Sequence, residues 1–257
     1  FMAVVGLTVA AIPEGLPAIL TITLAIGVRQ MARRQAVVRR MPVIETLGAV
    51  SVICSDKTGT LTRNEMMVTR AVLSGVQLEV TGEGYDLDGA VNAENGHPSD
   101  STLLDELARG AALCNDAHVH HDSGRIRIAG DPMEAALSVF ARKAGFDVDG
   151  SAADWPRKDE IPVDTENRFM ATLNHDHHGH SVIYLKGAPE RILDMCNSEV
   201  AESGETSELR RDFWERVITE MASDGLRVLA LARKPAERGS GELAIEDLEQ
   251  GAELLGL

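Results

Sequence analysis

Asp56 stands at a sharp change of character within ICSDKTGTLTRNE (53–65). Before it, Val50-Ser51-Val52-Ile53-Cys54 is short, apolar and rich in β-branched residues. That pattern predicts a strand buried on both faces. After it, Lys57, Thr58, Gly59 and Thr60 form a polar, glycine-containing turn. A carboxylate at the C-terminal end of such a strand lies where open α/β sheets bind ligands. A carboxylate there can act as a nucleophile and form a covalent intermediate, and Lys57 sets a positive charge beside it.

A second constellation lies upstream. From Phe1 to Val28 the only charged side chain is Glu14, and the run exceeds the ~20 residues that cross a bilayer. Five arginines follow between Arg29 and Arg40, which under the positive-inside rule place the chain beyond about residue 29 in the cytoplasm. Pro13 and Pro17 predict a break in this helix. Carbonyls freed just before Pro13, those of Val9, Ala10 and Ile12, together with the Glu14 carboxylate, supply oxygen ligands suited to a hard cation. An ionisable residue inside a membrane segment points to function; the plainer alternative is a proline-kinked anchor.

Composition agrees with a membrane-proximal start and a polar body. The net charge is −15, but residues 1–70 carry +4 and the remainder −19. This balance argues against a nucleic-acid partner. Cys54, Cys114 and Cys196 match no metal or disulfide spacing and read as reduced thiols. The histidine-rich tracts HVHH (118–121) and HDHHGH (175–180) lack a fixed ligand set, and the second reads as a solvated hairpin turn. The chain opens on Phe1 and closes on an apolar AELLGL, and it reads as a piece of a longer protein.

Four motifs in order carry a resemblance to a known family. DKTGTLT (56–62) resembles the phosphorylation motif of P-type ATPases, and PEGLP (13–17) is similar to the fourth membrane helix of their calcium-pump-like members. GDPMEAAL (130–137) and KGAPE (186–190) resemble motifs of the nucleotide domain. The resemblance covers essentially the whole chain. It implies an α/β fold class in three parts: a broken transmembrane helix (1–32), a stalk with the first strand of a haloacid-dehalogenase-like Rossmann phosphorylation domain (33–70), and an inserted mixed α+β nucleotide-binding domain with an antiparallel sheet (71–257).

The function implied is that of an ATP-driven cation pump of the cell membrane, with Ca²⁺ as the cation suggested by PEGLP. Asp56 would accept the γ-phosphoryl group of ATP beside Lys57, with Mg²⁺ held by Asp56 and the Thr58 carbonyl. Glu134, Arg168, Lys186, Arg227 and Leu229 would contact ATP, and Glu14 the transported cation. The partners implied are the lipid bilayer, the cation and the rest of the same pump. Val163 stands where the family usually stacks an aromatic ring on adenine, which implies weaker nucleotide binding.

Within the polar body, TLLDELARGAALCN (102–115) has helical periodicity, and Asp131-Pro132 opens a second helix that ends at Gly145. FMATLNH (169–175) and SVIYLKG (181–187) predict the two strands of a hairpin. A complete pump would also need a dephosphorylation loop and an Asp-rich Mg²⁺ loop, which these residues do not contain, so the chain alone is not expected to turn over. Two alternatives compete. A haloacid-dehalogenase-like phosphatase would carry a second acid where Thr58 stands; a non-catalytic, membrane-anchored ATP-binding module would not need an intact DKTGTLT.

Overall fold

The computed structural model describes residues 2, 4–6, 15–93, 101–122, 125–237 and 241–257. It divides into two compact units, Phe1–Arg63 and Asn64–Leu257.

In the first unit, helix α1 (Leu16–Arg33) begins after Gly15 with Pro17 in its first turn, where a missing N–H leaves no helical bond unmade. Helix α2 (Val43–Gly48) follows. The apolar side chains of α1 point outward on several sides, Ile19 at 64% and Ile22 and Ile26 at 61% exposure. Of the spanning helix expected over 1–32, residues 1, 3 and 7–14 lie outside the described residues; among the described residues no helix is long and apolar enough to cross a membrane. Glu14, Val9, Ala10 and Ile12 lie outside the described residues.

The strand expected over Val50–Cys54 is likewise not formed. The run is unpaired coil, with Val52 73% and Ile53 87% exposed. β-branched residues favour extended backbone, but a strand persists only where another strand takes its N–H and C=O groups. None of the described strands pairs with this run.

The second unit is a mixed α/β body around a seven-stranded sheet. Its elements are strands β1 (Arg70–Leu73), β2 (Val76–Val80) and β3 (Val91–Ala93), helix α3 (Thr102–Leu113), β4 (His118–Asp122), β5 (Arg125–Ala129), α4 (Pro132–Lys143), α5 (Val148–Asp154), β6 (Arg157–Ile161), β7 (Phe169–His175), β8 (Ser181–Gly187), α6 (Pro189–Met195), β9 (Cys196–Val200), β10 (Thr206–Glu208), α7 (Arg211–Ser223), β11 (Ala230–Ala236) and β12 (Ala252–Gly256). The large sheet runs β10-β9-β12-β11-β8-β7-β6. Its pairings are antiparallel except β9 with β12. The expected β7–β8 hairpin has the expected bounds, paired from Phe169 with Gly187 to His175 with Ser181. In its turn, Asp176 accepts the backbone N–H of His178 at 2.8 Å and of His180 at 2.7 Å, so the second histidine tract is a polar turn, as read from sequence.

Both faces of the sheet are covered, which is why β7 and β8 are almost continuously apolar. On one face Met170, Tyr184 and Leu231 pack against Leu107, Ala111, Leu137 and Phe140 of α3 and α4. On the other, Phe169, Ala171, Ile183 and Leu185 pack against Ile192 of α6 and Trp214 of α7. The two expected helices begin on side-chain caps: Ser101 Oγ accepts Leu104 N–H at 3.0 Å and Asp131 Oδ1 accepts Met133 N–H at 2.8 Å. Val72 of β1 and Leu257 exchange N–H···O=C bonds at 2.9 and 3.0 Å, tying the small sheet to the end of β12.

This packing sets thiol chemistry. Burial pushes the Cys114 thiol up to about 11, and burial with the nearby Glu253 charge pushes Cys196 up to about 12, whereas Cys54 is exposed. Alkylation of the native chain near neutral pH, read by mass spectrometry, should therefore modify Cys54 alone, with the other two reacting only on unfolding. Rapid modification of Cys114 would contradict the closed core.

Candidate functional site

The DKTGTLT motif forms a tight turn. Thr58 (φ −76°, ψ 125°) and Gly59 (φ 71°, ψ 3°) are the central residues of a type II turn, whose second central position needs a positive φ and so a glycine. Lys57 C=O accepts the N–H of Thr62 at 3.1 Å and its hydroxyl at 3.3 Å. Asp56 sits just before the turn in extended backbone, and its Oδ1 accepts the Lys57 N–H at 2.7 Å. The other carboxylate oxygen takes no hydrogen bond among the described residues, and Asp56, Lys57 and Thr58 are exposed.

In the second unit the structure joins two residues that lie 52 positions apart. Lys186 Nζ donates to Glu134 Oε1 at 2.5 Å, with Lys186 3% and Glu134 7% exposed. Lys186 belongs to β8, in register with Met170 of β7 and Leu231 of β11. Glu134 is in the first turn of α4. KGAPE has a local reason at each position. A Cβ on Gly187 would lie 2.5 Å from Arg168 O and 2.7 Å from Phe169 Cα, so only glycine lets β7 and β8 meet this closely. Ala188 donates its N–H to Arg168 O at 3.0 Å, and Pro189 opens α6 with Glu190 in its first turn. The Lys186 ammonium has three donors, and among the described residues Glu134 is its one hydrogen-bond partner. The pair therefore has capacity left for an acceptor brought by a ligand.

A cavity of about 130 Å³ opens on the same side of the sheet, lined by Met66, Val68, Met133, Phe140, Arg227 and Leu229 among others. Met133, which precedes Glu134, and Leu231, the cross-strand neighbour of Lys186, line it, whereas Glu134 and Lys186 themselves do not. Arg227 is exposed and Leu229 half-buried. Arg168 is exposed too, with a left-handed φ of 57°. The turn before it imposes that angle: Asp164 accepts the Asn167 N–H at 2.5 Å, and Asp164 O accepts the Arg168 N–H at 3.1 Å. Val163 is 63% exposed, and Phe169 is fully buried on the opposite face, with the Arg191 guanidinium 5.5 Å from its ring centre. Phe169 therefore faces away from Lys186.

Sequence reasoning missed the loop that holds this pair. Asn115, 9% exposed, donates from Nδ2 to Ala111 O at 3.0 Å and to Glu134 O at 2.8 Å, and its Oδ1 accepts the Ala117 N–H at 2.8 Å. Asp116 N–H reaches Glu134 Oε2 at 3.3 Å. The one available signal was the Asn-Asp dipeptide directly after a helix, and it reads equally as an ordinary helix stop.

Comparison with known proteins decides the family. Residues 103–257 match the model of the P-type ATPase cytoplasmic domain N. The chain belongs to the P-type ATPase family. It is 43% identical to Cation-transporting ATPase pma1 of Synechocystis over its whole length, covering 29% of that protein. It is 36% identical to the Calcium-transporting ATPase of Bacillus subtilis, again over its whole length and 29% of the relative. It is 40% identical to human Calcium-transporting ATPase type 2C member 1 over 90% of the chain and 25% of that protein. The chain thus spans between a quarter and a third of the length of these relatives.

In this P-type ATPase N domain the ion pair is costly to break. Lys186→Ala should lower stability by about 3–5 kcal/mol, because it strands a buried carboxylate. Adding Glu134→Leu should return part of the loss, and urea unfolding of the single and double variants measures it. A double variant as unstable as the sum of its singles would show that the two charges do not interact.

Proposed function

We propose that the second unit binds ATP on the sheet face carrying Lys186 and Glu134, and that the parent protein is a membrane cation pump phosphorylated at Asp56. The observation that carries the nucleotide half is the buried Lys186–Glu134 pair, whose chain and cross-strand neighbours Met133 and Leu231 line an apolar cavity together with Arg227 and Leu229. The adenosine end would rest against Lys186, Glu134 and Leu229. The triphosphate would extend toward the exposed Arg227 and Arg168, whose guanidinium groups suit phosphate oxygens.

At the acceptor, an Asp56 carboxylate oxygen would attack the γ-phosphorus. A new O–P bond forms as the bond to the β-phosphate oxygen breaks, leaving an aspartyl phosphate and ADP. Such transfer depends mostly on positioning and charge neutralisation. Lys57 and the exposed carboxylate fit that demand. Asp56 and the Thr58 carbonyl are an all-oxygen donor set that suits Mg²⁺, which when bound neutralises charge on the transferring group. The outward-facing apolar side chains of α1 suit lipid or neighbouring helices, which supports a membrane setting for the parent. Relatives named as calcium-transporting ATPases favour Ca²⁺ as the cargo, with Glu14 as a ligand.

Calorimetric titration of ATP into the 257-residue chain tests the nucleotide half. The wild type should bind, and Arg227→Ala should weaken binding about tenfold. Val163→Phe should tighten it roughly two- to tenfold by restoring a ring against adenine, worth ~0.5–1.5 kcal/mol. No heat at millimolar ATP would sink the reading.

A further inference from the structure

We infer that Asn115 and Arg157 are positioning residues for the nucleotide site, acting through Glu134 on Lys186; the inference rests on the ATP reading above. Neither is expected to touch the nucleotide. Together they grip one short segment, Cys114–Ala117, from two sides.

From inside, Asn115 spends both N–H donors of its amide on carbonyls, those of Ala111 in α3 and Glu134 in α4, while its Oδ1 takes the Ala117 N–H. It thus fixes the C-terminal end of α3 to the first turn of α4. From outside, Arg157 Nη2 donates to Asn115 O at 2.6 Å and Leu113 O at 3.2 Å, and Nη1 to Asp116 Oδ1 at 2.5 Å. Arg157 also contacts Glu160 of its own strand, so the fork is held on β6.

The consequence falls on one hydrogen bond. Held from both sides, the Asp116 N–H points at Glu134 Oε2. That contact turns the carboxylate so that Oε1 meets Lys186. A carboxylate has a soft terminal torsion, so without a donor on Oε2 it can rotate away and carry the ammonium with it. Asn115 is specified chemically as well as sterically: an aspartate of the same shape would set a carboxylate oxygen against two carbonyl oxygens.

The test uses the full chain and two probes, ATP and inorganic tripolyphosphate, titrated into wild type, Asn115→Asp and Arg157→Lys, with thermal melts alongside. Lys would keep a charge near Asp116 but lose the fork to the two carbonyls. Positioning predicts that both variants lose about tenfold in ATP affinity while tripolyphosphate, which meets only the arginines, binds within about twofold of wild type. A merely structural role would weaken both probes together, and that result, or unchanged ATP affinity, overturns the proposal. If Asn115→Asp gives no cooperative melt, Arg157→Lys decides by the same ratio. Failure of the wild type to bind ATP would instead overturn the nucleotide reading and this proposal with it.

Discussion

The contact on which the second unit turns is the Lys186–Glu134 ion pair. Two full charges lie at 3% and 7% exposure, and moving each from water costs several kcal/mol that their attraction only partly offsets. Replacing such a pair with well-packed apolar side chains of similar volume is often neutral or stabilising. Stability therefore does not explain the pair. Its hydrogen-bond inventory gives a better reason. Glu134 is supplied on both oxygens, by Lys186 and by Asp116 N–H, while among the described residues Lys186 has Glu134 as its one hydrogen-bond partner. A cation held in place and incompletely satisfied recognises an acceptor without first having to be ordered.

That demand shapes the scaffold around it. Lys186 lies on β8, flanked by β7 and β11 in the interior of the seven-stranded sheet, where a strand is least free to move. The rows on either side are apolar: Met170 and Leu231 in register with Lys186, and the other face sealed by Phe169 and Leu185. Gly187 lets β7 pass close enough to keep that register. The strain in Arg168, with its φ of 57°, sits at the same end of the hairpin, where the chain leaves regular structure and can present a charged side chain.

Much of this was legible in the sequence, and the reasons are local. The hairpin strands announce themselves by apolar runs on either side of a histidine-rich turn. The two helices announce themselves by the periodicity of 102–115 and by the Asp131-Pro132 start of the second, while the Ser101 cap is seen only in the structure. The glycine turn after Asp56 follows from the φ that such a turn needs. What was not legible is non-local. Nothing in GDPMEAAL or KGAPE says that Glu134 and Lys186 touch, since strand order and the helix on top of it decide that. Asn115 and Arg157 carry no motif, because their partners are backbone carbonyls, which every residue has. Val50–Cys54 failed for the complementary reason: its residues state a preference for extended chain, but a strand is a property of a pair, and the preference alone leaves Ile53 87% exposed.

The two units therefore differ in how far each is specified by its own residues. The second closes both faces of its sheet with its own helices, so its site geometry is a property of the chain itself. The first holds its turn geometry locally, through Gly59 and the bonds from Thr62 to Lys57, yet leaves Val52 and Ile53 uncovered. The Asp56 carboxylate stands just before that turn. Its immediate shape is set by the turn, while its solvation depends on what covers the strand-forming run before it. Asp56 is exposed and follows closely on that uncovered run, so under the proposed reading its surroundings as an acceptor would be set by whatever packs there, with no change in the seven residues of DKTGTLT.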